Sequence, residues 1–242
     1  MKYRGVIFDF NGVLLCDSAI QVEAWQCVAK DLRGYEMSEE ELSVHMHGRP
    51  NAYVLSYLTG RNIEGTELLT LIQVKESLYR ELLSNDRGSQ LAPGARELLD
   101  ALVSRRVPRT IATSSEKTNL DFFVEQLGLD RWFDIAKIVY DDGRRPGKPA
   151  PDMYLAAAHN IRLPPGECIV VEDAVSGLQA ARAAGIGCLI GIGAPAVQPR
   201  LLACAGVSAV IESLTQFPRE LLAADTDGDP VCGHPDSGGF PA

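Results

Sequence analysis

Apolar positions along the chain fall into two regimes. VIF at 6–8, TIATSS at 110–115, DIAKIVY at 134–140, the run from Cys168 to Val171, the run around CLIGI at 188–192 and GVSAVI at 206–211 are short, rich in β-branched residues and bounded by polar or glycine-rich stretches. That is the pattern of strands buried on both faces. Between them lie segments with helical periodicity: ARELLDALVSRR at 95–106, EKTNLDFFVEQLG at 116–128 with Ser114 or Ser115 placed to cap it, residues 151–160, SGLQAARAAG at 176–185, and a short helix near Leu214 to Leu222. Strand, helix and strand in few residues imply parallel, right-handed crossovers. The expected fold is therefore α/β, a doubly wound parallel sheet with a Rossmann-like core.

From Cys16 to about Gln90 the pattern changes, and no strand-like run occurs. Ile20, Ala24, Cys27, Val28 and Leu32 repeat near 3.6 residues and stop at Gly34. Ser38 and Glu41 form a capping box, and Leu69, Ile72, Leu78, Tyr79, Leu82 and Leu83 mark a long helix after Thr66. Between these helices, HMHGRPN at 45–51 predicts an irregular loop that presents His45, His47 and Arg49 for ligand contact. The expected organisation is a core of residues 1–15 and 91–222, a small helical cap inserted as residues 16–90, and a disordered tail of residues 223–242, rich in Gly, Pro and Asp.

Composition narrows the classes of function. A net charge of −9 without a block of Lys and Arg argues against a nucleic-acid or anionic-membrane partner. No apolar run approaches the ~18 to 20 residues of a membrane span. The six cysteines form no CxxC pair and no zinc-type Cys/His spacing, and Cys168 and Cys188 fall within apolar runs. A cytoplasmic chain with reduced thiols, a monomer or weak homodimer, is expected.

Chemistry gathers at the strand ends. The first strand stops at Asp9 with Gly12 close behind, the second ends in Thr113 and Ser114, a proline-rich loop displays Lys148, and the fourth ends in Glu172 and Asp173. In a doubly wound sheet these edges lie side by side and should converge on one crevice. Three crowded carboxylates call for a cation such as Mg²⁺, and Thr113 and Lys148 suit a phosphate.

These residues resemble the four ordered motifs of the haloacid dehalogenase-like superfamily: DFNGV at 9–13, IATS at 111–114, GKPAPDMY at 147–154 and IVVEDAVSG at 169–177. The chain looks most like the β-phosphoglucomutase and sugar-phosphatase branch. The resemblance implies Asp9 as nucleophile, Thr113, Ser114 and Lys148 as phosphoryl partners, and Mg²⁺ held by Asp9, Glu172, Asp173 and the backbone carbonyl of Asn11. It also places His47, Gly48 and Arg49 in the specificity loop of the cap, facing a small phosphorylated metabolite.

Two departures stand out. The family's acid–base Asp, two residues after the nucleophile, is Asn11 here, and an amide neither donates nor accepts the catalytic proton. Val22 stands where the mutase branch carries a histidine, in DSAIQV rather than DTxxxH. A Mg²⁺-dependent phosphohydrolase is the leading expectation. The competing ones are a weakly active or inactive phosphate-binding homologue, or a hydrolase whose leaving group needs no acid, such as an acyl phosphate, a phosphonate or a haloacid.

Overall fold

The structure, a computed structural model, describes residues 3–46, 49–85 and 91–223. His47, Gly48 and the tail beyond Ala223 lie outside the described residues. Six parallel strands, β1 (Gly5–Phe8), β2 (Arg109–Glu116), β3 (Val139–Asp141), β4 (Cys168–Glu172), β5 (Cys188–Ile192) and β6 (Val207–Ile211), form one sheet in the order β3-β2-β1-β4-β5-β6. Helices cover both of its faces.

Alternation along the strands sorts the core. Val6, Phe8, Ile169 and Val171 point to one face, where they pack with Leu98, Leu99 and Phe123 of α5 (Ala95–Ser104) and α6 (Lys117–Leu127). Ile7 and Val170 point to the other, against Tyr154, Ala157, Leu178 and Ala181 of α7 (Asp152–Asn160) and α8 (Val175–Ala183). Burial on both faces explains why these strands read as unbroken apolar runs.

Between β1 and β2 the chain forms α1 (Ser18–Arg33), a short α2 (Glu39–Glu41) that continues into a π-helical turn Leu42–Met46, α3 (Asn51–Thr59) and α4 (Gly65–Asn85). Trp25, Val28, Met37, Leu42, Val54, Leu55 and Leu58 make a separate apolar cluster here. The lower halves of α1 and α4 instead send Ile20, Ala24, Tyr79 and Leu83 into the main core. The capping box is present, with Ser38 Oγ accepting from the Glu41 N–H and the Glu41 carboxylate accepting from the Ser38 N–H.

Several local expectations are corrected. His45 lies on the π-helical turn and not in a loop, its ring stacked on Tyr57 at 3.9 Å. α3 and the short α9 (Gln198–Leu202) were not anticipated. β2 continues to Glu116, and neither Ser114 nor Ser115 caps α6, because the Ser115 hydroxyl is engaged elsewhere. β3 is an edge strand of only three residues, since Ile135–Lys137 is drawn into a 3₁₀ turn by Asp134, whose carboxylate accepts from the Ala136 N–H. The stretch from Leu214 to Leu221 holds two 3₁₀ turns instead of a helix.

Gly94, at the start of α5, has φ +82°, and a Cβ there would overlap the backbone nitrogen of Thr215 in the first of those 3₁₀ turns. Gly94→Ala combines left-handed strain of ~1 to 2 kcal/mol with that overlap. The expected result is a loss of at least about 2 kcal/mol of unfolding free energy, read from urea denaturation midpoints.

Candidate active site

Strand order makes the crevice. The sequence of connections reverses between β1 and β4, and open α/β sheets bind ligands outside the carboxyl ends of their strands at such a switch point. The register sets Phe8 beside both Ile111 and Val171, so Asp9, Thr113, Glu172 and Asp173 all emerge at the same edge.

Lys148 arrives from the loop between β3 and α7. Its Nζ donates to Asp9 Oδ1 at 2.6 Å and to Glu172 Oε1 at 2.5 Å, and the lysine side chain is only 7% exposed. The expectation of a displayed lysine is therefore corrected. Two carboxylates in a dry edge pull the ammonium in, and the proline-flanked loop lets it reach them. Glu172 is fully buried and held from two further sides: Tyr154 Oη donates to Oε1 at 2.9 Å and the Ala174 N–H donates to Oε2 at 2.9 Å.

This crowding perturbs Asp9, Asp173 and Lys148. Burial, with Glu172 beside it, pushes the Asp9 carboxyl up to about 7 even though Lys148 pulls the other way. Burial, then Glu172 and Asp9, raises Asp173 well above the ordinary carboxyl range. Burial works against the Lys148 ammonium, but Asp9 and Glu172 outweigh it and hold that group above its ordinary value. Oxygens of Asp9, Glu172 and Asp173 lie within 4.8 Å of one another. An all-oxygen, highly anionic set of this size fits a hard divalent cation, and glycines keep the space open: a Cβ at Gly12 would overlap the Asp173 carboxylate, and one at Gly177 would overlap that of Glu172.

Thr113 is buried at the β2 end of the crevice, where its Oγ1 accepts from the Ser115 N–H at 3.1 Å, and Ser114 is exposed beside it. Asn11 takes a more constrained place than sequence suggests. Its Nδ2 donates to Asp17 Oδ2 at 2.7 Å and to Tyr79 Oη at 3.3 Å, while its Oδ1 accepts from Ser115 Oγ at 2.8 Å. Asp17 is 1% exposed and collects donors: the Gly12 N–H at 3.2 Å, Gln21 Nε2 at 3.1 Å and Tyr79 Oη at 2.6 Å, besides Asn11. Sequence reasoning did not single out Asp17, Ser115 or Tyr79. Asp17 stands just before α1, which makes it look like an ordinary N-cap, yet its side chain makes no cap hydrogen bond.

Not all sequence candidates converge. Arg49 is exposed, with Nε donating to the Val44 carbonyl at 3.3 Å and the guanidinium 4.9 Å from the centre of the Tyr53 ring. It contacts none of the crevice carboxylates directly. Its neighbour Pro50 does approach the lysine loop, since a Cβ on Gly147 would lie 4.0 Å from Pro50 Cγ. Val22 is half-buried against the helical cluster.

Comparison with known proteins points to one family. The family model for haloacid dehalogenase-like hydrolases matches residues 3–185. A phosphorylated carbohydrates phosphatase of Thermotoga maritima is 28% identical over 227 residues, covering 90% of this chain and 96% of that protein. Hexitol phosphatase A of Escherichia coli is 32% identical over 220 residues, covering 90% and 94%. Among solved structures, a HAD hydrolase of family IA, variant 3, from Entamoeba histolytica superposes with a TM-score of 0.84 at 35% identity, covering 91% of this chain and 97% of that one. With the ordered motifs at the strand ends, the switch-point crevice and a family match across three quarters of its length, this chain belongs to the haloacid dehalogenase-like hydrolases.

Proposed function

We propose that the chain is a Mg²⁺-dependent phosphohydrolase that acts on a small organic phosphate through an aspartyl-phosphate on Asp9. The observation that carries this reading is the contact of Lys148 with both Asp9 and Glu172 at the switch point, a single cation set where a phosphoryl group and its nucleophile would meet. The names of the relatives, phosphatases of phosphorylated carbohydrates and of hexitols, support a sugar-like substrate.

In this reading a carboxylate oxygen of Asp9 attacks phosphorus in line, the bond from phosphorus to the leaving oxygen breaks, and an aspartyl-phosphate forms. Lys148, the Thr113 hydroxyl and Ser114 bind the equatorial oxygens and stabilise charge that builds up on them. Water then attacks phosphorus, breaking the new P–O bond, releasing phosphate and regenerating Asp9. Mg²⁺ held by Asp9, Asp173 and the Asn11 carbonyl, with Glu172 behind them, would neutralise phosphoryl and carboxylate charge. Tyr154 and the Ala174 N–H keep Glu172 aimed at Lys148. Residues 16–90 act as a cap over the crevice and 1–15 with 91–222 as the core, with Arg49 meeting the non-reacting end of the substrate.

Asn11 limits the chemistry. Its amide is tied to Asp17, Tyr79 and Ser115 and offers no proton to a leaving alkoxide. The proton must come from solvent, so leaving groups that depart as stable anions are favoured, acyl phosphates among them. The same tie supports a second reading, a phosphate-binding homologue with little turnover.

Asp9→Asn is expected to abolish phosphate release from a panel of sugar, acyl and aryl phosphates, and chelation of divalent ions should do the same to the parent protein. Retained turnover in the variant removes Asp9 as nucleophile. A stability measurement tests the burial of Asp9 independently. In chelator, folded Asp9 keeps its proton up to about pH 7 while the unfolded chain loses it near about 3.9, so the stability linked to it is present below that value and drains away as pH rises to 7. Relative to the parent, Asp9→Asn should gain up to ~1.4 kcal/mol per pH unit across that window and level off above it. A pH-independent difference in urea unfolding would contradict the buried, strained carboxyl.

Asn11→Asp separates the two readings. It supplies the absent acid, and since general acid–base catalysis contributes about 10²- to 10⁴-fold, turnover on alkyl phosphates should rise at least tenfold while acyl phosphates gain much less. If neither protein releases phosphate from any substrate, yet both bind Mg²⁺ and a phosphate analogue in calorimetry, the binding-protein reading stands instead. Arg49→Ala should raise KM or reorder the substrate panel with little change in melting temperature, because its contacts are a carbonyl and an exposed ring. A large loss of melting temperature with unchanged kinetics would make the residue structural.

A further inference from the structure

The amino edge of the sheet, opposite the crevice, carries a second concavity of about 430 Å³ between the end of α5, the start of β2 and the 3₁₀ turn Ile135–Lys137. That volume lies in the range of small-ligand sites. Its charged lining is Arg106, Arg109 and Lys137 against one acid, Asp134, which pairs with Lys137 at 3.1 Å. Val103 and Pro108, both exposed, supply apolar wall, with the edges of the buried Trp132 and Ile161 behind them.

Two cations are left over. Among the described residues, no ion pair involves Arg106 or Arg109. Nη1 of Arg109 donates only to main-chain carbonyls, Val107 at 2.9 Å and Leu102 at 3.5 Å, and its Nε is buried with no partner. Burial pushes this guanidinium below its ordinary value. Arg109 is half-buried and Arg106 exposed at the rim, so an anion in the cleft would meet one partly desolvated guanidinium and one free to swing onto it, while a chain with 32 acidic residues against 23 basic ones has acids to spare.

Arg106 follows α5 with φ +51°, in the left-handed region that favours glycine, as Arg162 does after α7 with φ +59°, whereas α1, α3 and α6 end on Gly34, Gly60 and Gly128 in that conformation. The backbone would be relaxed by glycine, and arginine is kept at a cost of roughly 1 kcal/mol.

We propose that this cleft is a binding site for a small organic oxyanion, a carboxylate or phosphonate-like head on an apolar body, with Arg106 and Arg109 pairing the head and Val103, Pro108 and the edge of Trp132 the body. It is separate from the crevice. Arg109 begins β2 and Thr113 lies four residues on, ~13 Å away at about 3.3 Å per residue.

The test uses phenylphosphonate and benzoate, which share the apolar body, differ in the head group and are not turned over by phosphoester hydrolysis. The chain has two tryptophans, so in Trp25→Phe the fluorescence reports Trp132 alone. At least one probe should give a saturable change, and which one saturates identifies the head group. Arg106→Gly should weaken that binding at least tenfold while leaving the melting temperature equal or higher, because glycine suits its backbone; a structural role would lower it. Calorimetry on the parent chain and on Arg106→Gly gives the same comparison without the Trp25 change. No saturable binding of either probe overturns the proposal, as does equal affinity in Arg106→Gly.

Discussion

A single buried ammonium holds the active-site end of this fold together. Asp9, Glu172 and Asp173 are brought to one dry edge by the parallel register of β1 and β4, and unscreened carboxylates at such spacing repel strongly. Lys148 sits between two of them, donating to both Asp9 and Glu172. Remove that cation and the strand ends would carry uncompensated buried charge, which is far more damaging than never having placed the charges there. The sheet order, the loop after β3 and the fixed posture of Glu172 through Tyr154 all serve this one arrangement.

Around it runs a second polar network that joins the helical segment to the core. Lys75 of α4, 3% exposed, donates to Gln21 of α1 at 2.8 Å and to Glu76 at 3.0 Å; Gln21 donates onward to Asp17, and Asp17 accepts from Asn11. Glu76 in turn accepts from Asn119 of α6 and from Asn51 at the start of α3. The Lys75 ammonium also lies over the rings of Trp25 and Tyr79, at 5.2 and 5.1 Å. Every member has a partner, so the network specifies how α1, α3 and α4 seat on the core instead of leaving buried polar groups to be neutralised by water. Apolar packing of Ile20, Ala24, Tyr79 and Leu83 supplies the attraction, and the polar chain supplies the register.

The sequence made strand ends legible because buried parallel strands are apolar throughout and must change character where they leave the core. Asp9, Thr113, Glu172 and Asp173 were each found at such a change, and the structure brings them to one edge. Lys148 was found by its motif but misjudged as exposed, since nothing local in GKPAP records the two carboxylates waiting for it. Asp17 and Ser115 were invisible for a related reason: each has a local explanation as a helix cap, and only the tertiary path of β2 and α4 reveals that their side chains face Asn11 and Tyr79. β3 was overdrawn because IAKIVY satisfies a strand pattern, yet Asp134 captures the Ala136 N–H and turns the first half of it into a 3₁₀ turn.

Asn11 gains a physical meaning from these neighbours that its identity alone lacks. An amide has one donor end and one acceptor end, and the site offers a matching pair: Asp17, which only accepts, and the Ser115 hydroxyl, which donates. An aspartate at position 11 would face Ser115 equally well but would set a second carboxylate oxygen against Asp17 at about the present 2.7 Å, a separation at which two carboxyls share a proton. Asparagine therefore satisfies the network without any proton and stays turned toward Asp17 and Tyr79. The hydrogen bonds that keep position 11 in register are fully met by an amide, and an amide has no proton for acid–base work, so on the proposed reading the steric frame of the site is kept while the demand for a self-sufficient leaving group passes to the substrate.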